Sequence, residues 1–164
     1  MAIYTKSGDN LLTDAKDGRV YKSDLIIEIE GTLDEAETSL ALAKCEVAKT
    51  EIRDILLNII KELFDFGSDL LGYSKGLITT DAVSNLEGLI DTYQNDLKDI
   101  NKFIIPGETK EGALIHASRV TIRRLERRIV EYAKENEVSK VLLEYINRLS
   151  DLLFTLARWV DENA

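Results

Sequence analysis

Along most of this chain the hydrophobic residues recur at intervals of three and four. That spacing puts them on one face of an α-helix. Ile26, Ile29, Leu33, Ala36, Leu40, Ala43 and Val47 carry the period through residues 24–49. Ile52, Leu56, Ile59, Leu63, Phe66 and Leu70 carry it through residues 50–71. Val83, Leu86, Ile90, Tyr93 and Leu97 make a shorter stripe, for which Thr80 or Asp81 offers an N-cap. A fourth helix is predicted over residues 109–134. A fifth is predicted over 138–161, with Val141, Tyr145, Leu149, Leu152, Leu156 and Trp159 inward. Five helices with short connections predict an all-α bundle of antiparallel neighbours. A helix of about 25 residues is on the order of 38 Å long, so the bundle should be elongated. Residues 1–23 are polar, contain Gly8 and Gly18, and lack the period. They predict an ordered loop or a short extended segment. Phe103-Ile104-Ile105-Pro106-Gly107 holds the only proline and reads as a connector.

Composition narrows the picture. A chain of 164 residues with 45% hydrophobic and 31% charged residues suits one folded domain over residues 1–164. A net charge of -9 and a pI near 4.7 argue against nonspecific nucleic-acid binding, which needs a broad basic surface. No apolar run reaches the roughly 18 residues of a membrane span. Met1 to Lys6 lack the apolar core of a signal peptide. The lone Cys45 cannot form an internal disulfide and reads as a small helix residue rather than a nucleophile. These features predict a cytoplasmic protein.

Against this acidic background, residues Arg119 to Arg128 hold five of the nine arginines. On a helix Arg119, Arg123 and Arg127 share one face, with Glu126 close to it. Like charges at that spacing weaken a helix unless compensated. A buried carboxylate or a bound phosphate would compensate them, since guanidinium donates to both in bidentate fashion. A solvated basic face with intrahelical pairs is the other reading. His116, the only histidine, faces the same way three residues earlier. Its arginine neighbours disfavour its protonation. One histidine cannot supply the paired Glu-x-x-His of a bundle di-metal centre, so no such metal site is expected.

Three further motifs carry polar chemistry. Tyr4-Thr5-Lys6-Ser7-Gly8-Asp9 has the parts of a phosphate loop. Gly8 lets backbone N–H groups approach an anion, Thr5 and Ser7 offer hydroxyls, and Lys6 offers charge. It lacks the spacing of the common Gly-Lys-Ser/Thr loop, and a plain turn is the alternative. Asn147-Arg148-Leu149-Ser150-Asp151 is polar within an apolar helix. It predicts a satisfied core network, an exposed stripe, or a mate on the arginine helix. Gly31-Thr32-Leu33-Asp34-Glu35 places a glycine inside a helix, at a cost of about 1 kcal/mol relative to alanine. A close approach by a ligand or another backbone would justify that cost. Asp34 is a candidate partner for an arginine elsewhere.

Taken in order, these blocks resemble the PduO-type ATP:cob(I)alamin adenosyltransferases, over essentially the whole chain. Asn147 through Phe154 and the connector at Phe103–Gly107 belong to the resemblance. It implies a ferritin-like five-helix bundle, preceded by the N-terminal phosphate-binding segment, that assembles as a homotrimer with active sites between subunits. It implies transfer of the 5′-deoxyadenosyl group of ATP to the cobalt of cob(I)alamin, releasing triphosphate, with Mg2+ assisting ATP. Thr5, Lys6, Ser7, Gly8 and Thr13 would line the triphosphate, with Lys22 as a further cation. Arg123, Arg124, Glu126, Arg127 and Asn147 match ATP-contacting positions. Arg119 matches an arginine that pairs with the Asp34 position across the interface. Phe103 matches an aromatic that keeps the lower axial ligand off the cobalt. Catalysis would rest on Arg123, Asp34 and Arg119. Cobalt(I) is itself the nucleophile, so no activated Ser, Cys or His is expected. A reductase or an adenosylcobalamin-dependent enzyme is the implied protein partner.

The chain departs from the family pattern at five positions. Leu11 stands where the loop has a second glycine, and Asp14 where a neutral group is usual. Glu37 replaces an asparagine, Glu108 a glycine, and Leu125 a small alanine. Two readings compete with catalysis, and the changes at Leu11, Asp14 and Glu37 motivate the first. One is a non-catalytic carrier or sensor of cobalamin or a nucleotide. The other is a structural oligomer whose arginines serve only salt bridges.

Overall fold

The computed structural model describes residues 3–99 and 103–163. The outer limits of the expected 1–164 domain therefore lie outside the described residues. Five helices follow a small antiparallel hairpin: β1 Leu12–Ala15, β2 Gly18–Tyr21, α1 Leu25–Glu46, α2 Thr50–Leu70, α3 Thr80–Gln94, α4 Lys110–Tyr132 and α5 Lys140–Glu162. The all-α bundle expected from periodicity is the fold observed. α4 packs against both α1 and α5, α3 against α5, and α2 against α1.

The apolar stripes close one core. Leu33, Ala36 and Leu40 of α1 and Leu56, Leu63 and Phe66 of α2 belong to it. So do Ile115, Ile122, Leu125 and Ile129 of α4 and most of α5. Phe66 lies 5.8 Å from the Tyr145 ring, whose hydroxyl donates to Glu62 at 2.7 Å. That bond satisfies the one polar atom of a fully buried tyrosine. α4 begins at a built cap. Thr109 Oγ1 accepts from the Gly112 N–H at 2.9 Å and donates to Asp161 at 2.6 Å. A Cβ at Gly112 would overlap the Asp161 carboxylate, so the glycine lets the end of α5 close on the start of α4.

Two boundaries differ from the sequence reading. Thr79 is the N-cap of α3, so Thr80 and Asp81 fall inside its first turn, and no side chain caps it. α3 ends at Gln94, before Leu97, which still packs against the core. Burial of Leu97 needs proximity rather than a helical turn, so periodicity overran the helix.

The polar N-terminal stretch is ordered by backbone pairing. A single 3-10 turn over Ser7–Asn10 leads into the hairpin, with Thr13 opposite Val20 and Asp14 opposite Arg19. Lys6 and Leu11 flank the turn with φ of 61° and 66°. A non-glycine residue there carries about 1–2 kcal/mol of strain. Leu11 is 71% exposed, so its side chain recovers little by burial. Leu11→Gly should therefore firm the turn by about 0.5–1 kcal/mol, part of the relief being lost to the greater freedom of unfolded glycine. Hydrogen exchange reads this at the Lys22 amide, which donates to the Leu11 carbonyl at 2.9 Å. Its exchange should slow about two- to fivefold. Unchanged or faster exchange would show that the leucine is not strained there.

Candidate functional site

The N-terminal loop gathers hydroxyls and cations around a bare backbone. Thr5 Oγ1 and Ser7 Oγ are 2.7 Å apart, and the Ser7 N–H donates to Thr5 Oγ1 at 3.4 Å. A Cβ on Gly8 would sit 3.1 Å from Lys22 Nζ, so the missing side chain lets that ammonium lie against the loop. Lys6 reaches over the Tyr4 ring at 5.9 Å. Thr13 is half-buried within β1. The residue that ties the loop together went unread in the sequence: Arg19. It donates to the Ser7 carbonyl at 2.6 Å and to the Leu12 carbonyl at 3.0 Å, and its Nε lies 3.5 Å from Asp14. Asp14 is thus partnered across the hairpin, and its charge does not face the loop uncompensated. The only signal for this pair was its hairpin spacing, which means nothing until the turn between the strands is known.

The arginines of α4 divide by direction. Arg124 forms an ion pair with Glu35, and Arg128 pairs with Glu28 at 3.5 Å and Glu131 at 3.2 Å. Glu35 and Glu28 belong to α1, so these two arginines fasten α4 to it. Arg123 and Arg127 are exposed. Arg127 donates to the Arg123 carbonyl at 3.1 Å, and among the described residues neither forms an ion pair. Beside them Glu126 accepts from Asn147 at 2.9 Å. The polar segment of α5 therefore does find a mate on the arginine helix, through Asn147. Asp151 turns instead to Arg148 at 2.8 Å, which also reaches Glu87 of α3 at 3.0 Å.

Arg119 lies on the α5 side, half-buried. Its Nε donates to His116 Nδ1 at 3.3 Å, and its guanidinium lies 5.8 Å from the centre of the Phe154 ring. Arg158 approaches the same ring at 6.0 Å. Burial, then the Arg119 charge, pushes the His116 pKa down, against an opposing pull from Asp161. Burial and Arg123 lower the Arg119 pKa as well. Two adjoining hollows, of about 510 and 490 Å³, flank Phe154 between α3 and α5.

Other expected members stand apart. Asp34 is exposed on α1 and forms no ion pair among the described residues. Gly31 has open space where a Cβ would be, so nothing in its own chain approaches it closely. Phe103 is fully exposed in the connector before α4. No hydrogen bond or ion pair among the described residues links Thr5–Gly8 to Arg123, Arg124 or Arg127. Nor do the described residues hold a cluster of three or more His, Cys, Asp or Glu fit for a metal ion. One chain thus presents a polar N-terminal loop, an arginine pair outside the described ion pairs, and an aromatic trough as separate surfaces.

Residues 3–160 match the family model described as cobalamin adenosyltransferase. The corrinoid adenosyltransferase of Bacillus subtilis (strain 168) is 39% identical over 168 residues, covering 98% of this chain and 87% of that protein. The corrinoid adenosyltransferase PduO of Citrobacter freundii is also 39% identical, but the chain spans only 51% of its length. Among solved structures, a variant PduO-type ATP:co(I)rrinoid adenosyltransferase from Lactobacillus reuteri complexed with ATP superposes with a TM-score of 0.92. It has 32% identity, over 98% of this chain and 94% of that one. Another variant of that enzyme, complexed with cobalamin and ATP, also gives a TM-score of 0.92 at 31% identity.

Glu37 sits one turn from Asp34 on α1. Burial, reinforced by the Asp34 charge, raises its pKa from 4.5 to about 7. The native state therefore holds this proton more tightly than the unfolded chain does. The resulting stability is complete below about pH 4.5 and is lost as pH rises through about 7. Glu37→Gln should melt higher than the unmodified chain at pH 8, and the gap should shrink as pH falls toward 4.5. Thermal melts across that range measure it. A gap that does not vary with pH would place Glu37 among ordinary carboxylates.

Proposed function

The chain belongs to the cobalamin adenosyltransferase family, and from that premise we propose that it transfers the 5′-deoxyadenosyl group of ATP to cob(I)alamin. The products are adenosylcobalamin and triphosphate. The cobalt(I) lone pair forms the Co–C5′ bond. The C5′–O bond breaks, and its electron pair leaves on triphosphate. Because the corrinoid brings the nucleophile, the protein's work is to position the two substrates and to stabilise a departing polyanion.

The observation that carries this reading is the unpaired Arg123 and Arg127 on α4, beside the Glu126–Asn147 bond. Two guanidiniums without a carboxylate partner among the described residues of an acidic chain suit an anionic ligand. Thr5, Lys6, Ser7, Gly8, Thr13 and Lys22 form the second anion-binding surface. We assign triphosphate to that loop, and Arg123, Arg124, Glu126, Arg127 and Asn147 to ATP. Phe103 goes to the corrinoid. Magnesium would arrive on the phosphate oxygens of ATP, and no step here runs through it.

Assembly as a homotrimer would unite surfaces that one chain keeps apart. The loop of one subunit would face α4 of the next, and Asp34 would meet Arg119 across the interface. Leu42 on α1 and Val120 and Val130 on α4 are exposed apolar residues suited to such contact. We further infer a single domain, working in the cytoplasm. No helix of the described residues is long and apolar enough to cross a membrane. Cob(I)alamin requires a reductant, so a reductase is the implied partner. Asp14 compensated by Arg19, and Leu11 in the backbone conformation a glycine would take, remove two grounds for a non-catalytic carrier.

The test is incubation with ATP, Mg2+ and chemically reduced cobalamin. Formation of adenosylcobalamin is expected; corrinoid binding without product would establish the carrier instead. Arg123→Ala should raise the barrier by about 3–4 kcal/mol, a loss of about 10²- to 10³-fold in rate. Its melting temperature should stay close to that of the parent, because Arg123 is exposed and in no ion pair among the described residues. A large drop in melting temperature with activity retained would favour a purely structural arginine helix.

A further inference from the structure

His116 is buried, titratable and unused by the proposed chemistry. Arginine can only donate hydrogen bonds. The Arg119 Nε–H directed at His116 Nδ1 therefore requires that nitrogen to be a bare acceptor. The ring proton must then sit on Nε2, and Nε2 has no hydrogen-bond partner among the described residues although it is buried. A histidine kept only for structure would be expected to satisfy both nitrogens. This one leaves a donor bare while serving Arg119.

We propose that His116 is a positioning residue for Arg119: its Nδ1 and the Phe154 ring together fix the guanidinium so that its two terminal amino groups face outward, ready for a carboxylate. This rests on the reading that Arg119 acts by meeting Asp34 of a neighbouring subunit. Phe154 supplies a platform under the guanidinium at 5.8 Å, and His116 supplies the in-plane anchor at 3.3 Å. Neither contact uses the terminal amino groups. Protonating His116 turns its acceptor into a donor beside a fixed cation, so the anchor must open. Beside the ring stand Phe154 of α5, with ring centres 6.0 Å apart, and Arg119, and the charges acting on it are Arg119 of α4 and Asp161 of α5; Arg158 lies on Phe154, and Arg123 acts on Arg119. Only Asp161 opposes this, and its Oδ1 already accepts from the N–H and hydroxyl of Thr109. The Arg119-dependent function should therefore fade as pH falls below the ordinary histidine range.

Because His116 is the only histidine, its ring nitrogens give unambiguous signals in long-range ¹H–¹⁵N spectra of the full chain. The expected result is a proton on Nε2, a bare Nδ1, and a titration midpoint below 6.5. A proton on Nδ1 at neutral pH would overturn the proposal. Kinetics form the second arm. His116→Asn keeps an acceptor where Nδ1 stands, whereas His116→Gln moves it out toward the position of Nε2. Gln should lower kcat/KM for cob(I)alamin by about tenfold, equivalent to 1.4 kcal/mol, and Asn should restore most of it. The acid limb of the wild-type profile should vanish in His116→Asn. Equal activity in Gln and wild type would overturn the proposal, provided that Arg119→Ala is impaired. If Arg119→Ala is itself unimpaired, the reading of Arg119 fails instead.

Discussion

The placement of the α4 arginines follows from the rotation of α4 about its own axis. Ile115, Ile122, Leu125 and Ile129 are fully buried, and α4 is held between α1 and α5. Burying that stripe is worth roughly 1.5–3 kcal/mol per side chain, far more than any one surface charge pair. Packing therefore wins, and the arginines go where rotation puts them. Two of them meet α1 carboxylates, one lies over an α5 aromatic, and two face outward without an ion pair. The Thr109–Asp161–Gly112 cap locks the start of the helix. Five arginines alike in the sequence become three kinds of arginine in space.

The N-terminal segment solves a different problem. It has too few apolar residues to pack like a helix, so it is ordered by a short ladder and by Arg19. One guanidinium group spans the Ser7 and Leu12 carbonyls and also compensates Asp14. That leaves Thr5, Ser7, Gly8 and Lys22 with their polar groups together and accessible. A loop pre-ordered in this way loses less entropy when an anion arrives.

The helices were legible because each buries a stripe of regular period, and the core stripes of α1, α2 and α5 fell where spacing put them. Leu125 shows the limit of reading by motif. As a replacement for a small residue among arginines it looked like a change at the site, yet it is buried on the opposite face and belongs to the core. Asp14 shows another limit. Its charge was legible and its partner was not, because Arg19 meets it only across a hairpin whose turn the sequence did not announce. Leu11 reads as a lost glycine, but the backbone keeps the left-handed conformation and bears the strain. His116 was rightly placed beside Arg119, but its main perturbation is burial, which residue spacing does not report.

The separation of the loop from the free arginines within one chain has a thermodynamic consequence. On the proposed assembly, ATP contacts groups from two subunits, so it binds the oligomer more tightly than the isolated chain. By linkage, ATP must then stabilise the oligomer by the same factor. Asp34 and Arg119 would add a charge pair at that interface, each with few competitors in its own chain. Among the described residues Arg119 meets the His116 imidazole and an aromatic face but no carboxylate, and Asp34 stands exposed on α1. Had Arg119 been satisfied by an acidic residue of α5, as Arg148 is by Asp151, forming the interface pair would first require breaking that bond. The sequence instead offers Arg119 a histidine, strong enough to orient it and too weak to compete with a carboxylate.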